Sequence, residues 1–418
     1  MAVKQDMTVK RRKPSAHNRN GNASQEFQGL SVVPVKRKRR RHTFLRALFR
    51  LFLTAVLIFS GAYIWNNWDM LEPENIVYWL NDKLAGGQSG DGFPVEISGS
   101  SVLSLTKAND GLALLTDTSL VVLNSKGGEL YRRQHGFSNP VMRTEGKRIL
   151  LADIGGSRMK VETRAGTTIE MTTDNNIISA AIGENGYFAL VTDSSGGHTS
   201  EVVVYNRKLE KIYHWYDRDL VILDAALSPD GRSMTVVGVM ADGGAMKYAV
   251  KMLYFNKKEP VAVYDGHDMM VFAVGYFPNG TIAVIGDGAV WIFNEKGTIR
   301  QRHSYNDRQL AGYTIWDSSV SVALRDFGGK ESGAVMTINP SGDQAYTMPF
   351  EGAFRSIASH GSNMLLLTSD YLYRADSSGV RYTSDVIRDG RMISTMGNKV
   401  IILGLTTLDE HNLPTTKS

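Results

Sequence analysis

A short unit recurs along the chain, and this repeat limits the possible folds more than any other feature of the sequence. Each unit has a Gly-containing turn, such as Asp110-Gly111 or Pro278-Asn279-Gly280, followed by a strand-forming run and then a second run that ends in an Asn- or Gly-containing turn. Equivalent turns lie roughly forty to fifty residues apart. Because this is the typical length of a four-stranded blade, the repeat predicts an all-β chain and, specifically, a β-propeller.

Seven complete units can be delimited. They cover about residues 101–139, 140–176, 177–219, 220–269, 270–308, 309–352 and 353–390. Three strand patterns are left over: Pro94–Ile97 at the start of the domain, and Met392–Met396 and Val400–Leu405 at its end. Together they can form a last blade that closes the ring and removes free sheet edges. We therefore expect eight blades over residues 93–408, with seven blades or a pair of β-sandwiches as alternatives.

A basic and apolar segment precedes this domain. Six consecutive basic residues open it: Lys36, Arg37, Lys38, Arg39, Arg40 and Arg41. The 23 residues of Thr43–Trp65 that follow contain only two charges, Arg46 and Arg50. A membrane span needs about 17–25 residues, and Trp65 and Trp68 suit an interfacial position. We predict a transmembrane helix over residues 43–68; a cleaved signal peptide, a buried core helix and a nuclear-type basic patch are the alternatives.

The charge distribution predicts the orientation of this helix. The chain carries 47 Lys and Arg against 42 Asp and Glu; residues 1–50 have a net charge of +12, so the rest has −7. The positive-inside rule places the N-terminus in the cytoplasm and the repeat domain outside the cell membrane. We expect the lipid bilayer around residues 43–68 and the anionic inner leaflet at Lys36–Arg41 as partners. The acidic repeat domain is not expected to bind nucleic acid.

The remaining segments have simple compositions. Residues 1–42 are polar and basic, and they predict a disordered cytoplasmic tail. Residues 69–92 predict a short helix at Leu71–Leu84 and a Gly-rich linker. Residues 409–418 are expected to form a C-terminal tail.

Sequence motifs for chemistry are not found. The nine histidines do not show metal-ligand spacing, and the chain has no P-loop, GxSxG, EF-hand or zincin motif. We therefore predict no catalytic, cofactor-binding or metal-binding residues and no cofactor.

Acidic residues recur where one predicted blade passes to the next, and they define a candidate binding face. The acidic positions are Asp174, Asp217, Asp219, Asp265, Asp268, Asp307, Glu351 and Asp389. The residues predicted for the face are Trp215, Asp217, Asp219, Asp265, Asp268 and Asp307. An acidic rim would suit a cation or a basic partner. The alternative is that Asp is present because it favours turns.

Residues 36–408 resemble a domain-of-unknown-function family of single-pass, membrane-anchored β-propellers from Gram-positive, Clostridia-type bacteria. The resemblance rests on the order of basic flank, apolar helix, short helix and irregular blades, with Val121–Gly127 and Val290–Gly297 as the most typical strands. It implies an extracytoplasmic propeller and carries no established activity or functional residues. The blades are also similar to quinoprotein-like, YWTD and WD propellers, although the Trp316-Asp317 pair does not recur by blade.

From these patterns we expect a non-catalytic binding or scaffold module of the cell envelope that contacts an envelope protein or polymer. The alternative is a propeller enzyme, a hydrolase or lyase acting on envelope glycans or peptides. A third possibility is a sensor that reports to the cytoplasmic tail, but that tail contains no recognisable domain.

Overall fold

The computed structural model describes residues 40–66, 90–97, 101–108, 111–194, 196–328, 331–384 and 389–417. The chain divides into two units, Met1–Trp68 and Asp69–Ser418. The predicted tail before residue 40 and the predicted helix at Leu71–Leu84 lie outside the described residues.

The described part of the first unit is an α-helix, α1, which runs from Arg40 to Asn66. The transmembrane helix predicted for residues 43–68 coincides with α1 over residues 43–66, and residues 67–68 lie outside the described part of the chain. Large apolar side chains between Leu48 and Phe59 are exposed. Among the residues that the structure describes, no helix combines the length and apolarity needed to cross a membrane.

The second unit is an eight-bladed β-propeller, which confirms the prediction of eight blades over seven. Strand β1, Val95–Glu96, precedes the first complete blade. Blade 1 contains β2 Val102–Ala108, β3 Gly111–Thr116, β4 Ser119–Leu123 and β5 Glu129–Gln134. Blade 2 contains β6 Pro140–Glu145, β7 Arg148–Asp153, β8 Arg158–Thr163 and β9 Gly166–Thr172. Blade 3 contains β10 Ile177–Ile182, β11 Phe188–Asp193, β12 Ser200–Tyr205 and β13 Lys211–Asp217.

The next blades repeat this antiparallel order. Blade 4 contains β14 Val221–Leu227, β15 Ser233–Asp242, β16 Ala245–Tyr254 and β17 Ala262–His267. Blade 5 contains β18 Val271–Tyr276, β19 Ile282–Gly286, β20 Ala289–Phe293 and β21 Ile299–Ser304. Blade 6 contains β22 Gln309–Trp316, β23 Ser319–Arg325, β24 Ser332–Ile338 and β25 Gln344–Glu351. Blade 7 contains β26 Phe354–His360, β27 Asn363–Thr368, β28 Leu372–Ala375 and β29 Arg381–Thr383.

Blade 8 joins the two ends of the domain. It contains β30 Met392–Met396, β31 Lys399–Leu403, β32 Thr407–Asn412 and the N-terminal strand β1. In the outermost pair, Val95 lies opposite Leu408 and Glu96 lies opposite Thr407. The sequence prediction of a blade shared by both ends is therefore confirmed.

The predicted C-terminal tail at residues 409–418 needs correction. Strand β32 continues to Asn412, and a last strand, β33 Thr416–Lys417, pairs with β29 of blade 7. These residues were missed because strand β32 contains few apolar side chains. Backbone pairing with β31 holds its residues 408–412.

The turns between the third and fourth strands explain why the blades are visible in the sequence. In blade 5, the Asn294 side-chain oxygen accepts hydrogen bonds from the N–H groups of Lys296 (3.0 Å) and Thr298 (2.9 Å). Gly297 in this turn has a φ of 78°, a conformation that favours glycine. Asn124 of blade 1 makes the equivalent pair of bonds. An Asn followed by Gly three residues later thus marks the same turn in both blades.

The core is divided into eight apolar clusters, each shared by two neighbouring blades. Central strands such as β19 and β20 are buried throughout because a neighbouring blade covers each face. Trp291 of β20 is fully buried in the cluster between blades 4 and 5. The cluster between blades 8 and 1 includes Phe93, Val95 and Ile97 from the N-terminal strand segment. Closure of the ring therefore depends on that short segment.

We predict that Ile97→Pro lowers the free energy of unfolding by about 2–3 kcal/mol. The Ile97 N–H donates a 2.7 Å hydrogen bond to the Thr406 carbonyl, and proline removes both this donor and part of the apolar contact. The measurement is urea unfolding of the full chain followed by Trp fluorescence. Glu96→Ala is the matched control, because the Glu96 side chain is exposed, and it should change stability by less than about 0.5 kcal/mol. Equal stability of the two variants would contradict closure by this segment.

Candidate binding face

The antiparallel order of the strands sorts the loops onto two faces of the ring. The connections between blades and the hairpins between second and third strands lie together, and we call this side the connection face. The hairpins between first and second strands and between third and fourth strands lie on the opposite face. The charge of each face can therefore be counted from its loops.

The described loops of the connection face are strongly acidic. They carry ten acidic residues and three arginines, a net charge of −7. The acidic residues are Asp117, Asp174, Asp219, Asp268, Asp287, Asp307, Asp326, Glu331, Asp370 and Asp389. The basic residues are Arg218, Arg308 and Arg391. Nine of the ten acidic side chains are exposed, and Asp326 is half-buried.

The described loops of the opposite face are nearly neutral. They carry nine basic and eight acidic residues, a net charge of +1. The basic residues are Lys126, Lys147, Arg164, Arg207, Lys208, Arg232, Lys257, Lys258 and Lys296. The acidic residues are Glu184, Glu210, Asp230, Glu259, Glu295, Asp317, Asp343 and Asp376. The two faces thus present different electrostatic surfaces to a partner.

Arg308 shows how the positive charge of the connection face is reduced. Its Nε lies 2.7 Å from Oδ1 of Asp326. Hydrogen bonds from Arg308 and Ser332 hold the pKa of the Asp326 carboxyl below its usual range. Asp326 therefore stays ionised at neutral pH.

Exposed apolar side chains are concentrated on the same face. In the described part of the propeller, seven large apolar side chains at least one-third exposed lie at the connection face: Leu103, Tyr216, Val221, Met246, Met270, Phe327 and Leu405. Phe327 is 72% exposed and Leu405 is 70% exposed. Leu209, Val261 and Val263 lie at the opposite face, and Tyr313 lies within the first strand of blade 6. The connection face thus combines negative charge with apolar surface.

Four of the six predicted binding-face residues are exposed on the connection side. Asp219, Asp268 and Asp307 lie in connections between blades, and Asp265 lies near the end of β17. Asp268 and Asp307 have φ values of 62° and 61°, in the left-handed region that Asp tolerates better than most residues. Turn geometry is therefore one physical reason for their presence. Asp265 lies 3.3 Å from the ammonium group of Lys247.

The other two predicted residues, Trp215 and Asp217, are buried between blades 3 and 4. Trp215 is 8% exposed and belongs to the apolar cluster shared by these blades. Asp217 is 5% exposed, forms an ion pair with Lys251 of β16 and accepts hydrogen bonds from the N–H groups of Asp219 (3.1 Å) and Leu220 (2.9 Å). The Lys251 ammonium also lies 5.5 Å from the Trp215 ring centroid. Their contacts assign both residues to blade packing rather than to the exposed surface.

A cavity of about 370 Å³ lies against the first strands of blades 2 to 6. Asp224 of β14 is buried in its wall and accepts hydrogen bonds from Ser179 Oγ (3.0 Å) and the Val274 N–H (3.1 Å). Arg143 lies at the longer distance of 3.5 Å from the same carboxylate. Asp224 therefore links the first strands of four blades. A single acid inside the apolar run Val221–Leu227 is the sequence signal that could have identified it.

The cavity also has an acidic part. Burial raises the pKa of the Glu145 carboxyl, and repulsion from Glu184 and Asp317 raises it further. Burial raises the pKa of the Tyr313 hydroxyl, which also lines the cavity, so this group is neutral at physiological pH. Among the described residues, no group of three or more His, Asp or Glu side chains is arranged to hold a metal ion.

We predict that Asp217→Ala lowers the free energy of unfolding by about 3 kcal/mol. The substitution leaves the half-buried Lys251 without its carboxylate and leaves two backbone N–H groups without their acceptor. Urea unfolding of the full chain measures the loss. Asp219→Ala, two residues away and exposed, should cost less than about 0.5 kcal/mol. If the two variants were equally stable, Asp217 would not hold blades 3 and 4 together.

Two solved structures are similar to this chain. The C-terminal WD40 domain of Sif2 aligns with a TM-score of 0.56 and 13% identity, covering 78% of this chain and 99% of that chain. BamB from Moraxella catarrhalis aligns with a TM-score of 0.46 and 11% identity, covering 76% of this chain and all of that chain. At such low identities, the likeness to Sif2 shows the fold alone.

Sequence comparison adds the family. No curated protein matches the chain. The family model described as "Family of unknown function (DUF5711)" matches residues 94–413, which is most of the chain and nearly the whole propeller. The chain therefore belongs to this family of unknown function, DUF5711.

Proposed function

We propose that this protein is a non-catalytic binding or scaffold module of the cell envelope, and that its connection face contacts an envelope protein or polymer. The observation that carries this proposal is the difference between the faces: −7 on the connection face and +1 on the opposite face, among the described loops. Exposed apolar side chains lie on the more charged face. A rigid ring that displays many loops on one side is well suited to binding.

The combination of charges and apolar groups gives this face two separate contributions to binding. Acidic side chains attract a basic partner from a distance, and the attraction weakens with salt. Exposed apolar groups such as Phe327 and Leu405 lose contact with water when a partner covers them, at about 25 cal/mol per Å². Charge therefore gives selectivity and association rate, while apolar burial gives affinity.

We also propose that residues 43–68 attach the protein to the membrane, with the N-terminus in the cytoplasm and the propeller outside. Exposed apolar side chains along α1 support attachment, because such a surface is unfavourable in water. The basic residues Lys36–Arg41 support a cytoplasmic N-terminus and contact with anionic lipid.

A second candidate function is an enzyme, a hydrolase or lyase acting on envelope glycans or peptides. The cavity of about 370 Å³ favours it, together with the raised pKa of Glu145, which suits a proton donor. Against it, Asp224 already accepts hydrogen bonds from Ser179 and Val274 and links neighbouring blades. The hypothesis of a binding module therefore accounts for more of the charged and apolar surface features than the hypothesis of an enzyme does.

Neutralising the connection face should weaken partner binding. In cells that produce the full chain, we expect Asp219→Asn with Asp307→Asn to reduce chemical crosslinking to envelope components by about fivefold or more, because long-range attraction is lost. The readout is the crosslinked product recovered with the propeller. The matched control is Glu210→Gln with Asp343→Asn, which removes the same charge from the opposite face and should leave the yield unchanged. Equal losses from both pairs would count against the connection face.

The proposed topology predicts the result of a protease experiment. Protease added to intact protoplasts should cleave the propeller and leave residues 1–42 protected, because only the propeller would be outside. Tags at the two ends of the chain, followed by immunoblotting, measure the two halves separately. Detergent-permeabilised protoplasts are the control in which both halves should be cleaved. A protected propeller in intact protoplasts would contradict this topology.

A further inference from the structure

Blade 4 carries a hairpin that projects from the connection face. Its second and third strands, β15 and β16, have ten residues each, whereas the second and third strands of the other seven blades have four to seven. The first strand of blade 4 pairs with β15 only up to Val239, opposite Val221. Residues 240–242 continue beyond that pair, a projection of about 10 Å at roughly 3.3 Å per residue.

The projecting hairpin is ordered by its own contacts. Lys247 lies 3.6 Å from Asp242 across the hairpin and 3.3 Å from Asp265 of the fourth strand. Gly243 and Gly244 have φ values of 58° and 86°, the signs required by a two-residue type I′ turn that matches the strand twist. A rigid hairpin loses little conformational entropy when a partner binds.

Apolar groups surround the base and the side of this hairpin. Met246 is 45% exposed on β16, Val221 is 39% exposed at the start of β14, and Met270 is 37% exposed in the connection to blade 5. Val221 is tied to the hairpin through its pair with Val239, and Met270 follows His267, which pairs with Lys247. Methionine side chains are flexible and polarisable, so they adapt to different apolar partners.

Acidic groups lie close to two of these apolar positions, Val221 and Met270. Asp219 lies two residues before Val221, and Asp268 lies two residues before Met270. The Asp287 carboxylate accepts a 3.1 Å hydrogen bond from the Met270 N–H. We call Val221, Met246, Met270, Asp219, Asp268 and Asp287 the blade 4 sector.

We infer that the blade 4 sector binds a segment of a partner protein in which Lys or Arg residues alternate with apolar side chains. This inference rests on the proposed function. It specifies where on the connection face the partner binds and which side chains the partner presents. Positive side chains would pair with Asp219, Asp268 and Asp287, and apolar side chains would cover Met246 and Met270. The bound segment would lie along the projecting hairpin.

Charge complementarity favours a basic and apolar segment of a partner protein over a second copy of the chain, anionic lipid or a neutral segment. A second copy of the chain that docked by the same face would bring two surfaces of −7 together. Anionic lipid and acidic polymers would be repelled for the same reason. A neutral apolar segment would leave the three carboxylates without a positively charged partner when water is displaced, which is costly. A basic and apolar polypeptide satisfies both features.

The test uses the full chain in nanodiscs of zwitterionic lipid and a labelled synthetic peptide in which Lys and Leu alternate. A photo-reactive amino acid is placed at one position at a time: Met246 in the sector, Leu405 elsewhere on the connection face, or Leu209 on the opposite face. We expect the peptide to crosslink at position 246 at least about tenfold more than at 405 or 209. Peptides of alternating Glu and Leu, or Lys and Ser, should crosslink weakly.

A double variant then tests whether the acidic groups contribute to peptide binding without affecting the stability of the fold. Asp219→Asn with Asp268→Asn removes two charges, and Asn tolerates the positive φ of residue 268. It should reduce crosslinking at position 246 by about tenfold and leave urea unfolding unchanged. The control is Asp117→Asn with Asp370→Asn, which removes two charges from other blades of the same face.

Other outcomes overturn the inference in distinguishable ways. Preferential crosslinking at 405 would reject the blade 4 sector and leave the connection face as the binding surface. Preferential crosslinking at 209, or none at any position, would count against both the inference and the proposed function. Equal capture of the Glu and Lys peptides would reject the partner chemistry, and crosslinked dimers of the chain at 246 would assign the sector to self-association.

Discussion

Closure of the ring is the constraint on which the rest of the structure depends. Each of the eight apolar clusters is shared between two blades, so no blade buries its own surface alone. In the last cluster, Val95 and Ile97 pack against side chains of blades 8 and 1, and Val95 pairs with Leu408, more than 300 residues away along the chain. Pairing the two ends of the domain in one blade closes the ring and leaves only short sheet edges.

A closed ring also determines where function can reside. The strands are occupied with packing, and buried ionic contacts such as Asp217 with Lys251 join neighbouring blades. The loops can change in sequence without destabilising the core, so binding residues are expected there. The antiparallel strand order places these loops on two faces of the ring. The connection face collects acidic and apolar groups, and the long hairpin of blade 4 projects from it.

Local chemistry made the blade boundaries predictable from the sequence. Turns such as Asn294–Gly297 depend on side-chain hydrogen bonds and positive φ angles within a few residues, so their signal is visible without the fold. The closing strands could also be inferred, because unpaired edges at both ends require partners. Strand β32 was missed because it is stabilised by backbone pairing and has little apolar pattern.

The candidate face was less predictable, because burial depends on contacts between blades. Asp219 and Asp217 are both acids near the same connection, yet one is exposed and the other is paired inside with Lys251. Trp215 alternates in β13 with exposed neighbours, and its orientation follows from the apolar cluster of blades 3 and 4. The positions of the acidic residues near the connections could thus be predicted from the sequence. Which of their side chains are exposed could be determined only from the fold.

The central claim is that the connection face is the surface covered by a partner. Hydroxyl-radical footprinting of the full chain on intact cells, compared with the purified chain, measures this coverage directly. The account predicts that Met246, Met270 and Phe327 react less on cells, while Leu209 and Val261 of the opposite face react equally in both samples. Unchanged reactivity of the connection face, or protection confined to the opposite face, would contradict it.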